Sequence, residues 1–276
     1  MIKAFVAGHP IAHSRSPLIH GHWLAEHGIS GSYERIDVPP ADFPAFLRGL
    51  PGSGFAGGNV TIPHKEAAFA LADTLTERAQ RIGAVNTLVV GGDGQVHGDN
   101  TDAPGFCAHL DQSLGTAWPQ RGEAVILGAG GAARAIVVGL AERGVSRIRV
   151  ANRTPARAEA VAALAPGIAQ PLAWDDLPAA LEGAGLLVNT TSLGMKGQPP
   201  LAIDLAPLPD GAAVADIVYT PLETDLLAAA RRRGLAAVDG LGMLLHQAVP
   251  GFAAWFGTCP QVTAALRDLI VADLRP

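Results

Sequence analysis

The segment VILGAGGAARA, residues 125–135, constrains the fold of this chain more than any other stretch. It places Gly128, Gly130 and Ala133 at GxGxxA spacing, directly after a short apolar strand and directly before a helical run. Spacing alone is weak, but in this context each small residue has its own task. Gly128 makes a tight turn, Gly130 lets the backbone approach a pyrophosphate, and Ala133 allows close packing of helix on strand. The helix N-terminus adds unsatisfied N–H groups that attract phosphate. The pattern therefore demands a strand–turn–helix unit of a parallel sheet, with a dinucleotide at its tip.

The same rhythm runs through the rest of the chain. After the glycine-rich turn come RIRVANR, LLVNTTSLG, AAVADIVY and AAVDG; before it come KAFVAG, SYERIDV, FAGGNVTI and NTLVV, separated by helical stretches from Pro17 to His27, around Phe43 to Leu50 and from Lys65. This reads as two α/β units in series, the first with a mostly parallel sheet. The tail, GMLLHQAVPGFAAWFG followed by VTAALRDLIVADL, has helical apolar spacing, with Pro250–Gly251 as a kink or break. Residues 198–211, rich in proline and glycine, read as a long loop, and no internal repeat is present.

Composition narrows the partners. With 276 residues, 49% hydrophobic and 16% charged, the chain is long and apolar enough for two ordinary domains. A formal charge of −5, without a basic stripe interleaved with aromatics, speaks against nucleic acid and anionic membrane and leaves a small molecule as the expected substrate. No apolar run reaches membrane-spanning length, and Lys3 leads straight into AFVAGHP without the features of a secretory signal. Cys107 and Cys259 stand alone, in neither disulfide nor zinc-ligand spacing. A cytoplasmic protein is expected.

Cofactor choice follows from the tip of the next strand, where binding of NAD requires an acidic side chain to accept from the ribose 2′-hydroxyl. Here the tip reads VANRTPAR. Asn152, Arg153 and Thr154 replace the acid and Arg157 follows, offering donors suited to a 2′-phosphate, so NADP is preferred.

A nicotinamide enzyme that reduces a ketone needs a group that protonates or strongly hydrogen-bonds the reacting oxygen. The Tyr-x-x-x-Lys solution is absent: the tyrosines are Tyr33 and Tyr219, and four residues on lie Asp37 and Glu223. Two isolated cysteines cannot build a catalytic zinc site, and the cluster of His9, His13, His20 and His22 lacks carboxylate or thiolate company, so no metal is expected. Lys65 remains, at the start of a helix, the electrostatically worse end for a cation. Asp102, in GDNTDAPGF, is its possible partner; both fall near the C-terminal ends of strand-like runs, where open parallel sheets bind ligands.

At this level of detail the chain resembles the shikimate dehydrogenase family, over nearly its whole length and in order. The matching segments are GHPIAHSRSP, GGNVTIPHKE, GAVNTLV, GDNTD, GAGGAARA, NRTPAR, NTTSLGM, DIVYTPLETDLL and DGLGMLLHQA. The resemblance implies reversible NADPH-dependent reduction of 3-dehydroshikimate to shikimate, on the route to chorismate and the aromatic amino acids, with Lys65 and Asp102 as the catalytic pair. It implies that Ser14 and Ser16 hold the substrate carboxylate and that Thr61, Asn86 and Gln247 contact ring hydroxyls. Short neutral side chains of this kind suit a small polyhydroxylated acid. Ser16, before Pro17, also suits a helix N-cap.

Carried over in the same way, the cofactor lies along Gly128, Ala129, Gly130, Gly131, Ala132 and Ala133, at Asn152, Arg153, Thr154 and Arg157, and at Thr190, Ile217, Tyr219 and Gly240. The implied fold has a substrate-binding domain of residues 1–102 with 241–276, the last helices returning to it, and a Rossmann-type NADP domain of residues 103–240, in a monomer or homodimer. Ala103 stands where the family commonly has glycine. Two other readings share the motifs: a quinate or quinate/shikimate dehydrogenase with broader substrate or NAD use, and a non-catalytic NADP-binding regulator.

Overall fold

The structure, a computed structural model, describes residues 1–274. It divides into two compact units: residues 1–101 together with the segment from Leu245, and residues 102–244.

The first unit begins with β1 (Ile2–Gly8), α1 (Ser16–Glu26), β2 (Gly31–Asp37), α2 (Phe43–Arg48), β3 (Phe55–Val60) and α3 (Lys65–Leu71), and continues through β4 (Thr74–Leu75), α4 (Glu77–Ile82), β5 (Thr87–Val90) and β6 (Val96–Asp99). The strands form one sheet in the order β2-β1-β3-β5-β6-β4. β1 pairs parallel with β2 and β3, and β4 pairs parallel with β6. β5 runs antiparallel to both of its neighbours. The tight turn after Val90, closed by Gly91 N–H on the Gln95 carbonyl at 2.8 Å, is too short for the crossover that a parallel pair needs. One face of the sheet buries Phe5, Ala7, Val60, Leu88 and Val96 against Phe43, Leu47, Leu50 and Ala68 of the helices and turns above it.

The second unit comprises α5 (Asp102–Leu114), β7 (Glu123–Leu127), α6 (Gly131–Glu142), β8 (Ile148–Ala151), α7 (Pro155–Ala162), β9 (Ala169–Leu172), α8 (Leu177–Leu181), β10 (Ala184–Asn189), β11 (Ala213–Asp216), α9 (Asp225–Arg232) and β12 (Ala236–Val238). All of its strand pairs are parallel, in the order β12-β11-β10-β7-β8-β9. That is the doubly wound dinucleotide arrangement, with its switch point between β7 and β10. Alternate residues of β7 enter opposite cores, Ala124 and Ile126 on one face and Val125 and Leu127 on the other. Burial on both faces explains why these strands read as unbroken apolar runs. β9 escapes that pattern because it is an edge strand and tolerates Pro171. The stretch from Gln198 to Gly211 is a loop, as its composition indicates, and it packs Leu201, Leu205 and Leu208 against the second core.

The boundary between the units falls within α10 (Leu241–His246), after which α11 (Ala248–Phe256) and α12 (Ala264–Leu274) join the first. The expected break at Pro250–Gly251 falls instead at Gln247, and α11 runs through the proline. Pro250 occupies the first turn of α11, where a missing N–H has no intrahelical acceptor to lose. α11 lays Phe252 and Trp255 against His20, Trp23 and Tyr33, an aromatic core on the other face of the first sheet. The buried indole N–H groups are satisfied by the Gln261 carbonyl for Trp23 and the Leu88 carbonyl for Trp255. No helix among the described residues is long and apolar enough to cross a membrane.

Candidate active site

The loop that delivers Thr61 and Lys65 is held at several points. Thr61 N–H donates to the Ala7 carbonyl at 2.9 Å, His64 N–H returns to the Thr61 carbonyl at 2.8 Å, and Lys65 then opens α3. His64 is buried, stacked on Phe43 with ring centroids 4.3 Å apart. Its Nε2 lies 2.6 Å from the Val38 carbonyl, which can only accept, so this nitrogen carries the proton. The Lys65 carbonyl in turn accepts from Val85 N–H at 3.0 Å, tying α3 to the segment that carries Asn86. Lys65 and Thr61 are half-buried.

Ser14 lies in the turn before α1. Its carbonyl accepts two hydrogen bonds from the Arg35 guanidinium, at 2.9 Å from Nε and 2.6 Å from Nη2. Ser16 departs from its expected capping role. The helix begins at Ser16 itself, and Ser14 Oγ accepts the Ser16 N–H at 3.3 Å, so the Ser16 side chain does not cap α1.

Asn86 and Gln247, 161 residues apart, meet: Asn86 Nδ2 lies 3.5 Å from Gln247 Oε1. The interruption between α10 and α11 places Gln247, and both amides are buried. Asn86 Oδ1 accepts from Thr101 N–H at 2.8 Å and from Thr87 Oγ1 at 2.9 Å. Tyr33, Asn59, Thr87 and Thr101, which the sequence reading passed over, line the same network. Their signal was present: polar residues interrupting apolar strands are buried only if they are hydrogen-bonded.

In the second unit, Asp102 is buried at the first position of α5, the end of a helix that favours a carboxylate. Ala103 packs beside Gly139 of α6, where any added Cβ would come 3.0 Å from the Ala103 carbonyl. The glycine-rich turn fits a dinucleotide on two counts. Gly128 has φ +103°, a conformation other residues avoid, and a side chain there would strike Thr190 and Thr191. At Gly130 and Gly131, by contrast, an added Cβ would meet no protein atom within 4 Å. Protein packing therefore does not require glycine at those two positions, whereas close approach of a phosphate does at Gly130, the second glycine of the motif. Ala133 is fully buried against the sheet, while Ala129 and Ala132 are half-buried.

At the tip of β8, Arg153, Thr154 and Arg157 are exposed, and Asn152 Nδ2 bonds the Thr154 carbonyl at 3.0 Å. Thr190 is turned inward, its hydroxyl donating to the Leu127 carbonyl at 2.7 Å. Ile217 and Tyr219 are half-buried on the loop after β11. Gly240 backs that loop: an added Cβ would sit 2.2 Å from the Ile217 carbonyl oxygen, so its glycine is required by the protein's own backbone.

Sequence reasoning also missed the hub under these loops. Asp216 is 2% exposed and accepts from Asn189 Nδ2, Val218 N–H and the Thr224 hydroxyl. Burial pushes its carboxyl above the ordinary carboxylate range, against the pull of those three donors.

Residues 6–88 match the substrate-binding domain of shikimate dehydrogenase, and residues 116–195 match shikimate/quinate 5-dehydrogenase. The shikimate dehydrogenase (NADP(+)) of Methylobacterium radiotolerans is 82% identical over 274 residues, covering 99% of this chain and 97% of that one. The chain belongs to the shikimate dehydrogenase family. Among solved structures of similar proteins is shikimate 5-dehydrogenase from Thermus thermophilus in complex with NADP(H) and shikimate, 39% identical with a TM-score of 0.87 over 99% of this chain and 100% of that one. Quinate dehydrogenase from Corynebacterium glutamicum in complex with NAD is 32% identical with a TM-score of 0.91, over 98% of this chain and 99% of that one. The family fold thus serves both acids and both cofactors, and selectivity must come from side chains.

Proposed function

We propose that this chain catalyses the reversible NADPH-dependent reduction of 3-dehydroshikimate to shikimate, a step toward chorismate and the aromatic amino acids. The observation that carries the reading is the end-to-end identity of 82% to a relative named for that activity. The cofactor would be held along residues 128–133, with Arg153, Thr154 and Arg157 around its 2′-phosphate and Thr190, Ile217, Tyr219 and Gly240 flanking it; when bound, it supplies the hydride. The remaining work falls to the chain's own side chains.

Lys65 donates a proton or hydrogen bond at the ketone oxygen that becomes a hydroxyl, and takes the proton back in the reverse direction. Asp102 holds the lysine in place. Ser14 and Ser16 bind the carboxylate, while Thr61, Asn86 and Gln247 bind ring hydroxyls. A cytoplasmic enzyme accords with Cys107 and Cys259 being outside any disulfide, and the enzyme is read as a monomer or homodimer. A non-catalytic regulator would have no use for the lysine, the aspartate and the serine pair together.

The test is saturation kinetics of one preparation with shikimate or quinate, each with NADP or NAD. Quinate carries an added tertiary hydroxyl beside the carboxylate, crowded or unpaired at two serines. Shikimate should therefore exceed quinate in kcat/KM by at least about tenfold, with NADP preferred. Quinate turnover equal to or better than that of shikimate would overturn the substrate assignment.

A further inference from the structure

The first unit contains a run of side-chain hydrogen bonds whose direction can be read link by link, because two backbone groups anchor it. The Asn86 carbonyl can only accept, so the Asn59 atom beside it at 3.1 Å is Nδ2. Asn59 Oδ1 then faces the Tyr33 hydroxyl at 2.6 Å and takes its proton in a hydrogen bond. The Thr101 backbone N–H can only donate, so the Asn86 atom beside it at 2.8 Å is Oδ1. Asn86 Nδ2 is therefore the atom that faces Gln247 Oε1.

Thr87 joins the two amides. Its Oγ1 accepts from Asn59 Nδ2 at 3.1 Å and passes its own proton to Asn86 Oδ1, directly at 2.9 Å or through Thr101 Oγ1 at 3.0 Å. Tyr33, Asn59, Thr87, Asn86, Thr101 and Gln247 are all buried. Burial also pushes the Tyr33 phenol well above its ordinary range, which keeps its proton in place. Each donor in such a chain polarises the next.

We infer that Tyr33, Asn59, Thr87 and Thr101 form a one-way donor relay that locks the Asn86 amide with its N–H side toward Gln247, so that a ring oxygen bound at Asn86 is selected as a hydrogen-bond acceptor. The inference rests on the reading of Asn86 and Gln247 as ring-hydroxyl contacts. A flipped Asn86 would set its NH2 group against the Thr101 N–H, donor against donor, in a place where water cannot relieve the conflict. The relay residues act through Asn86 and are positioning residues.

Thr87→Val keeps the shape of the side chain and removes its hydroxyl. The expected result is a rise in KM for shikimate of about tenfold, the value of one hydrogen bond, with KM for NADP within about twofold of wild type. Thr87→Ser returns the hydroxyl and recovers the affinity. Equal KM for shikimate in the valine and serine variants overturns the relay. Asn86→Asp preserves the acceptor toward Thr101 and removes the donor, so its shikimate affinity should fall by more than about tenfold; affinity equal to or above wild type overturns the polarity.

Should Thr87→Val fail to fold, Tyr33→Phe deletes the first donor and should raise the same KM by about threefold; no change overturns the relay. If the wild-type enzyme does not turn over shikimate, the functional reading falls separately. The relay is then read from the Asn59 and Asn86 side-chain amide resonances in 15N NMR, which Thr87→Val shifts and Thr87→Ser does not. Resonances unmoved by Thr87→Val overturn it.

Discussion

Asn189 Nδ2 donates to Asp216 Oδ1 at 2.9 Å, and this bond, with Ile217 N–H on the Asn189 carbonyl at 3.1 Å, helps tie the loop after β10 to the loop after β11. On the first loop, Asn189 Oδ1 accepts from both the backbone N–H and the hydroxyl of Thr191. On the second, Asp216 takes Val218 N–H at 3.0 Å and the Thr224 hydroxyl at 2.8 Å. Thr190, Ile217 and Tyr219, three of the proposed cofactor contacts, ride on this pair of loops.

Asp216→Ala should therefore act on the cofactor rather than on the acid. Each buried donor left without an acceptor costs about 1–3 kcal/mol, so the protein should be destabilised by several times that minimum. KM for NADP should rise by at least about fivefold while KM for shikimate changes little. Equal rises for both substrates would mean that the hub maintains only global stability.

Lys65→Ala should lower kcat by roughly 10²–10⁴ with a modest loss of shikimate binding, because acid–base assistance acts mainly in the transition state. A mutant with near-normal kcat sinks the assignment. Asp102→Asn should also be severe. Since residues that work as a unit are not additive, the Lys65→Ala/Asp102→Asn double mutant should lose less than the product of the single losses.

Arg153→Ala should raise KM for NADP by more than about tenfold and leave the weaker NAD reaction almost unchanged, as only the 2′-phosphate loses a charge-assisted hydrogen bond of ~1.5–3 kcal/mol. The measurement is a pair of cofactor saturation curves for wild type and variant. Parallel losses with both cofactors would reassign Arg153 to the fold or the pyrophosphate.

His20 predicts a pH dependence of stability. Its ring is fully buried, stacked on Tyr33 at 4.0 Å, and desolvation lowers its pKa from 6.5 to about 3. The unfolded chain takes up a proton below about pH 6.5 that the folded chain refuses until about pH 3. Stability from this group is thus fully present above the unfolded value and is lost as pH falls through that window, by up to about 3–5 kcal/mol. Urea denaturation between pH 7 and pH 4 should show this slope in wild type and a shallower one in His20→Phe. Identical slopes would remove His20 from the account.

The part of the molecule written in local chemistry was legible without coordinates. Strand and helix periods, the GxGxxA spacing from Gly128 to Ala133, and the arginines in place of an acid after β8 all lie within a few residues of one another, where turn sterics and side-chain type suffice. Hence the two α/β units and the glycine-rich strand–turn–helix at Gly128 could be read from the residues alone. Folding in three dimensions decided the antiparallel course of β5, the edge position of β9, the break at Gln247 rather than Pro250, and the hubs at Asp216 and Asn86. An amide has a donor side and an acceptor side, and nothing in the letter N says which faces inward. For Asn86 that choice is made by a Thr101 N–H fifteen residues away and realised toward Gln247, 161 residues away. Only folding brings such partners together, and in a buried site they set the polarity jointly with the Thr87 hydroxyl.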